Sequence, residues 1–228
     1  GGTVPPGDDN LVVRAARLLQ EHSGTSRGVT VDLWKRIPVS AGLAGGSTDA
    51  AATLVALDRL WELGLTAEEL LTLAARLGSD VSFFVRGVPA AICRGRGEEI
   101  HPVERPLELS VVVSRPASGL STAEVYRHCR VSSRPLSAQP LVDSLADGRL
   151  AAASRFLHNS LQQTATTLNS EVTDLITRLD RQPVVASAMT GSGTACFGLC
   201  SSDRLARRIS RRLCGTGVPW ATAVRTGV

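Results

Sequence analysis

The sequence predicts a mixed α/β (α+β) fold in two lobes, a first α/β lobe and a second, ferredoxin-like one. Two observations carry this. The glycine-rich stretch Pro38–Ala51 lies between a short alternating apolar run and a nearly uncharged run of helix formers. In the second half, strand, helix, paired strands, helix and strand follow one another, which is close to a split βαβ arrangement.

Asp8-Asp9-Asn10 stands before the apolar-periodic run Leu11–Leu19 as a helix start, and Gly24 lies just past its end. Val29 to Trp34 alternates apolar and polar residues, which predicts a half-buried strand. Ala50 to Leu60 reads as a buried helix that Gly64 ends. Thr66 and Glu69 form a capping-box pattern, Leu70, Leu71, Leu73, Ala74 and Leu77 give the next helix an apolar stripe, and Gly78 closes it. Asp80–Val85 follows at once, then Val88–Cys93 and a turn punctuated by Gly95 and Gly97. A domain boundary falls near Pro106, dividing the chain into 1–106 and 107–228.

Leu107–Val113 reads as a strand, and Ser121–Cys129 as a short helix capped by Ser121 or Thr122. Helices are expected over 141–147, 149–165 and 169–180. Val184–Met189 and Cys196–Cys200 read as two strands joined by Thr190-Gly191-Ser192-Gly193-Thr194. An arginine-rich helix and a strand at Ala221–Arg225 finish the chain.

Composition removes several classes. At 228 residues and 43% hydrophobic content the chain can bury a real core. No run of about 18 apolar residues is present, so no membrane span is expected. The N-terminus has neither the basic start nor the apolar core of a signal peptide, which predicts a cytoplasmic location. Lys35 is the only lysine, so 24 of the 25 basic residues are arginines. In Arg204–Arg212 the spacing of Leu205, Ile209 and Leu213 makes the arginines the solvated face of an amphipathic helix. With 4% aromatics and none interleaved, no nucleic-acid partner is expected. Five cysteines without a C-x-x-C pair indicate free thiols in a reduced compartment, and the four histidines lack metal-site spacing.

The chemistry concentrates in Pro38-Val39-Ser40-Ala41-Gly42-Leu43-Ala44-Gly45-Gly46-Ser47-Thr48. A strand, a glycine turn and a helix N-terminus make an anion site, because first-turn N–H groups lack internal partners and glycine admits a phosphate closely. Ser47 and Thr48 add hydroxyls for phosphate oxygens or a magnesium shell. The alternative is a plain strand-to-helix turn capped by Ser47, Thr48 or Asp49. Neither the Walker pattern nor G-x-G-x-x-G is present.

Two further stretches bear on it. The loop, then Leu77-Gly78-Ser79-Asp80-Val81, then Thr190-Gly191-Ser192-Gly193 occur in an order that resembles the GHMP kinases, the family of galactokinase, homoserine kinase, mevalonate kinase and phosphomevalonate kinase. Asp9–Ala16, Lys35-Arg36-Ile37-Pro38, Arg96-Gly97-Glu98-Glu99 and Ser121-Thr122-Ala123-Glu124-Val125-Tyr126 are similar to the branch whose substrate carries a cytidine diphosphate. The likeness runs from about residue 5 to 226. It implies a two-lobed fold with ATP and substrate between the lobes, and transfer of the γ-phosphoryl group to the 2-hydroxyl of a methylerythritol unit, in isoprenoid precursor synthesis. ATP and Mg2+ are the implied cofactors, and a small molecule with a cytidine diphosphate moiety the implied partner.

The resemblance also implies residue roles. Pro38 to Thr48 would wrap the ATP phosphates, and Asn10, Leu11 and Lys35 would lie near the adenine. Asp80 would be the catalytic aspartate that accepts or orients the proton of the attacking hydroxyl; the bare sequence equally allows Gly78-Ser79-Asp80 to be a helix cap. Tyr126 would stack on the cytosine, although an only tyrosine on an amphipathic helix can also be core. Thr122, Gly191, Ser192 and Gly193 would face substrate or phosphates, against a plain hairpin turn. Another kinase of the same family, or a non-catalytic nucleotide-binding module, are the alternatives.

Two departures qualify this. The family has proline two residues after the aspartate, where this chain has Ser82. It also begins with a lysine-bearing strand and a Gly-Tyr-His stretch absent here, so the 228-residue chain is expected to be an incomplete piece with an exposed sheet edge. Loss of a lysine that neutralises developing charge costs orders of magnitude in rate. The isolated chain should therefore be poorly stable and nearly inactive; turnover at an ordinary kinase rate would contradict that expectation.

Overall fold

The computed structural model describes residues 4, 6–105, 107–130 and 132–227. Pro106, where the sequence places a boundary, lies outside the described residues, as does most of the N-terminal stretch read for a leader. The chain forms two compact units, Gly1–Val39 with Ala44–Pro102, and Ser40–Leu43 with Val103–Val228.

The first unit holds four α-helices, α1 (Leu11–Ser23), α2 (Gly45–Trp61), α3 (Ala67–Leu77) and α4 (Ser79–Arg86), and an antiparallel hairpin, β1 (Ala91–Arg94) and β2 (Glu99–Pro102). The expected terminators act as read. Asn10 caps α1 by accepting from the Val12 N–H at 3.0 Å, and Gly24 ends it in the left-handed region. Thr66 and Glu69 close the capping box of α3, satisfying two N–H groups the helix itself leaves free. Helix α2 ends three residues before Gly64, with Glu62 taking the left-handed conformation. Leu19, Leu54, Leu73 and Val81, one from each helix, are fully buried in a single core. Each such side chain contributes roughly 1.5–3 kcal/mol relative to exposure.

One expected strand does not form. Val29–Trp34 is irregular, Val29 and Val31 are exposed, and Trp34 is 88% exposed. A strand exists through its ladder, and among the described residues no other strand lies beside this segment, so alternation alone leaves its backbone unpaired.

The second unit is built on a four-stranded antiparallel sheet of β3 (Ser110–Arg115), β4 (Ala186–Met189), β5 (Cys196–Cys200) and β6 (Trp220–Arg225), in the order β4-β5-β3-β6. That order is the split βαβ pattern read from the sequence. The connections carry α5 (Thr122–His128), α6 (Gln139–Ala146), α7 (Leu150–Ala153), α8 (Gln162–Leu168), α9 (Ser170–Asp180) and α10 (Asp203–Gly215). Leu175 and Leu179 of α9 and Ile209 and Leu213 of α10 share one core with Val112, Cys196 and Cys200 of the sheet. The expected single helix over 149–165 is broken into α7, a 3-10 turn at Ser154–Phe156, and α8. At the break the Asn159 side chain accepts from the Leu161 N–H at 2.9 Å, offering the backbone an alternative to helix.

All five cysteines are free. Burial pushes the Cys196 thiol up to about 12 and raises Cys200, the latter opposed by a hydrogen bond to the Val112 backbone. Above the ordinary thiol value of 9.0 the unfolded chain would release these protons first, so stability should fall as pH rises past that value. Iodoacetamide at mildly alkaline pH should alkylate the exposed Cys93 and Cys214 of the native protein and spare Cys196 until it is denatured; peptide mapping would read this.

Candidate functional site

Helix α2 begins at Gly45 with no side chain capping it. Its N-cap is Ala44, at φ 50°, and none of Ser47, Thr48 or Asp49 takes that place. The capped-turn alternative therefore does not hold. Among the described residues the N–H groups of Gly45, Gly46 and Ser47 have no acceptor, and the first bond of the helix is Thr48 N–H to Ala44 O at 2.9 Å. Three free N–H groups on a 17-residue helix form a cradle for an anion, with the positive end of the macrodipole behind it. Left-handed Ser40 (φ 53°) and Ala44, with Gly42 (φ 70°), turn the chain sharply into the helix. For the two non-glycine residues that conformation costs of order 1 kcal/mol each.

The first unit brings several expected residues to this end of α2. Lys35, half-buried, forms an ion pair with Asp49 on α2. A Cβ on Gly45 would lie 2.9 Å from Ile37 Cγ2 and 3.3 Å from Lys35 Nζ, so glycine there leaves the ammonium room beside the helix start. A Cβ on Gly46 would come 3.4 Å from Leu11 Cδ1, which puts Asn10 and Leu11, at the head of α1, next to the same turn. The Thr48 hydroxyl donates back to Ala44 O at 3.0 Å, whereas the Ser47 hydroxyl has no partner among the described residues. This donor set fits polyphosphate. Among the described residues no three of His, Cys, Asp and Glu gather to hold a metal ion.

Asp80 lies in the first turn of α4, exposed, with no hydrogen-bond or ion-pair partner for its carboxylate among the described residues. Gly78 is the N-cap residue and supplies no side chain, so Asp80 is not a cap. Desolvation, and after it the Asp80 charge, raise the otherwise exposed Cys93 thiol, which sets β1 near this carboxylate. Ser82, in the family's proline position, is 2% exposed and its Oγ has no partner among the described residues.

The second unit arranges the rest. Ser40–Leu43 belongs to it: the Ala195 N–H donates to Ala41 O at 3.0 Å and the Thr190 hydroxyl to Gly42 O at 3.1 Å. The Thr122 and Ser192 hydroxyls lie 2.9 Å apart, joining α5 to the Gly191–Gly193 turn. Tyr126, on α5, is 62% exposed, while its neighbour Val125 is fully buried, so the tyrosine is not core. Sequence reasoning missed Asp49, Asn159 and Gln162. Asp49 was visible only as a possible cap, and Asn159 and Gln162 act across 27 to 32 residues on Met189 and Gly191, where no local pattern reaches.

Comparison with known proteins agrees along the length of the chain. The GHMP kinases N terminal domain matches residues 10–88 and the GHMP kinases C terminal matches 141–218. A 4-diphosphocytidyl-2-C-methyl-D-erythritol kinase from Geobacillus sp. (strain WCH70) is 41% identical over 93% of this chain and 73% of its own. One from Nocardioides sp. (strain ATCC BAA-499 / JS614) is 43% identical over 95% and 74%. The crystal structure of a 4-(cytidine 5'-diphospho)-2C-methyl-D-erythritol kinase superposes with a TM-score of 0.84 at 36% identity, covering 99% of this chain and 81% of that one.

The glycines of the loop should differ in tolerance. A Cβ on Gly42 would lie 2.4 Å from Thr190 O and 2.8 Å from Gly193 N, at a φ that L-residues resist. Gly42→Ala should lower the thermal midpoint and weaken binding of an ATP analogue at least tenfold. Gly46→Ala, with only the movable Leu11 tip in reach, should change both little. Calorimetry of the two variants separates them, and equal behaviour would contradict the close-packing account.

Proposed function

We propose that this chain, which belongs to the GHMP kinases, catalyses ATP-dependent phosphorylation of the 2-hydroxyl of 4-diphosphocytidyl-2-C-methyl-D-erythritol. The observation that carries the reading is the identity above 40% to kinases of that name over more than nine-tenths of the chain. The uncapped start of α2 supports it, since a nucleotide kinase needs a fixed set of donors for phosphate oxygens.

In this reading Pro38 to Thr48 hold the ATP phosphates. The Gly45, Gly46 and Ser47 N–H groups hydrogen-bond the anionic oxygens, and Asn10, Leu11 and Lys35 border the adenine. Lys35 is kept in place by Asp49, so its charge costs little further ordering when the nucleotide arrives. The Ser47 hydroxyl, whose neighbour Thr48 is turned onto Ala44 O, would hold Mg2+, which would supply neutralisation of phosphate charge. The exposed ring of Tyr126 stacks on the cytosine, and Thr122 with Gly191, Ser192 and Gly193 borders the substrate.

The 2-hydroxyl oxygen forms a bond to the γ-phosphorus as the bond from that phosphorus to the β–γ bridging oxygen breaks, and ADP leaves. The hydroxyl proton passes to the Asp80 carboxylate, which lies exposed in the first turn of α4 with no partner among the described residues. Most of the rate enhancement then comes from positioning and charge stabilisation. We place the enzyme in the cytoplasm, on the support of its five free thiols.

Asp80→Asn in the full-length gene product should abolish turnover and leave ATP-analogue affinity within about twofold, because the amide keeps the shape and removes the base. A coupled ADP-release assay with the cytidine-diphosphate substrate, run beside titration calorimetry, tests this. Retained turnover would remove Asp80 from the mechanism, and failure of the wild type on this substrate would remove the substrate assignment.

A further inference from the structure

We propose that Asn159, seconded by Gln162, is a positioning residue for the phosphoryl transfer, setting the Thr190–Thr194 turn and through it the Ser40–Leu43 part of the glycine loop. Its kinetic consequence rests on the kinase reading above; its structural consequence does not.

Strand β4 is an edge of its sheet, so among the described residues the outward-facing backbone groups of its last residue, Met189, have no neighbouring strand to pair with. Two side chains replace that strand. Asn159 Nδ2 donates to Met189 O at 2.9 Å, and Gln162 Oε1 accepts from the Met189 N–H at 2.8 Å. The second hydrogen of the same Asn159 amide goes to Gly191 O, also at 2.9 Å, while its Oδ1 accepts from the Leu161 N–H. Both donors and the acceptor of one half-buried amide are thus committed, across the junction where β4 becomes the turn.

Beyond that junction the turn is bonded in series. Gly191 is left-handed at φ 54° and Gly193 at φ 85°, and the Gly193 N–H closes on Thr190 O at 3.0 Å. The Thr190 hydroxyl and the Ala195 N–H then hold Gly42 O and Ala41 O. A Cβ on Gly191 would approach Gly42 O to 3.0 Å, so the two backbones lie in contact and a shift of one displaces the other. An amide at position 159 therefore fixes where the loop carbonyls at 41 and 42 sit without itself being in the loop. The requirement is chemical as well as steric. Aspartate has the same shape, but its carboxylate would face two carbonyl oxygens with no hydrogen to offer.

The test uses Asn159→Leu, Asn159→Asp and Gln162→Glu in the full-length gene product. Asn159→Leu should lower kcat/KM by about ten- to a hundredfold, the range a small misplacement costs. It should also speed amide exchange at Gly193 and Ala195, leaving Val111–Val113 in the centre of the sheet as in the wild type. Gln162→Glu keeps the acceptor and should stay within about twofold. The activity of Asn159→Asp relative to wild type should rise as pH falls from about 8 to 6, since only the protonated acid can donate to a carbonyl. Unchanged exchange at Gly193 and Ala195, normal kcat/KM despite faster exchange, or loss of protection throughout the sheet would each overturn the proposal. Should the wild type not phosphorylate the cytidine-diphosphate substrate, the functional reading fails by itself. Exchange, together with the affinity for a non-hydrolysable ATP analogue, then decides the role of Asn159.

Discussion

Among the described residues three N–H groups at the head of α2 are left without acceptors, and much of the first unit is arranged so that they can remain so. A helix start ordinarily recruits a serine, threonine or aspartate side chain to cover its first donors. Here Ala44 occupies the capping position in a left-handed conformation, and Thr48 turns its hydroxyl onto Ala44 O. Asp49 is engaged by Lys35. Thr48 and Asp49 are thus committed elsewhere and no side chain caps the helix, so the donors stay available to a phosphate. The strain of Ser40 and Ala44 is offset by α2 itself, whose Ala50, Ala51, Leu54 and Leu57 bury against α1, α3 and α4.

The second unit solves a related problem at a sheet edge. An edge strand exposes backbone donors and acceptors, and a turn of left-handed glycines following it has little stiffness of its own. Asn159 and Gln162 pair with the edge and brace the turn at once. The helix that would otherwise run through 149–165 is interrupted to place them. That interruption costs helical hydrogen bonds, and the Leu161 N–H recovers one partner in the Asn159 side chain. Hydroxyl contacts of Thr190 and Thr122 carry the order onward to Gly42 and to α5.

Features legible in the sequence are those set by neighbours in the chain. The Asn10 and Thr66 caps, the Gly24 and Gly78 stops, the amphipathic α10 and the alternation of sheet elements in the second half depend on spacings of a few residues, and they appear as read. Val29–Trp34 carries the alternation of a strand yet forms none among the described residues, because alternation describes one face and a ladder requires a second chain segment. The run 149–165 has helical composition, but Asn159 draws its backbone into a different set of bonds. Tyr126 could not be assigned to core or surface from periodicity on a seven-residue helix, and it is exposed.

By itself the sequence determined that Pro38–Ala51 is the centre of this protein, that a helix follows it, and that the whole resembles a small-molecule kinase family. Those conclusions rest on residue type and order, which local physical chemistry reads directly. Only the tertiary structure decided how the loop is built. It showed that Ala44 rather than a polar residue begins α2, that Lys35 is tied to Asp49, and that Gly42 must be glycine because Thr190 O lies where its Cβ would be. The partners are separated by 14 residues in one case and 148 in another. Their meeting is a consequence of packing within each unit, and no window of sequence contains it.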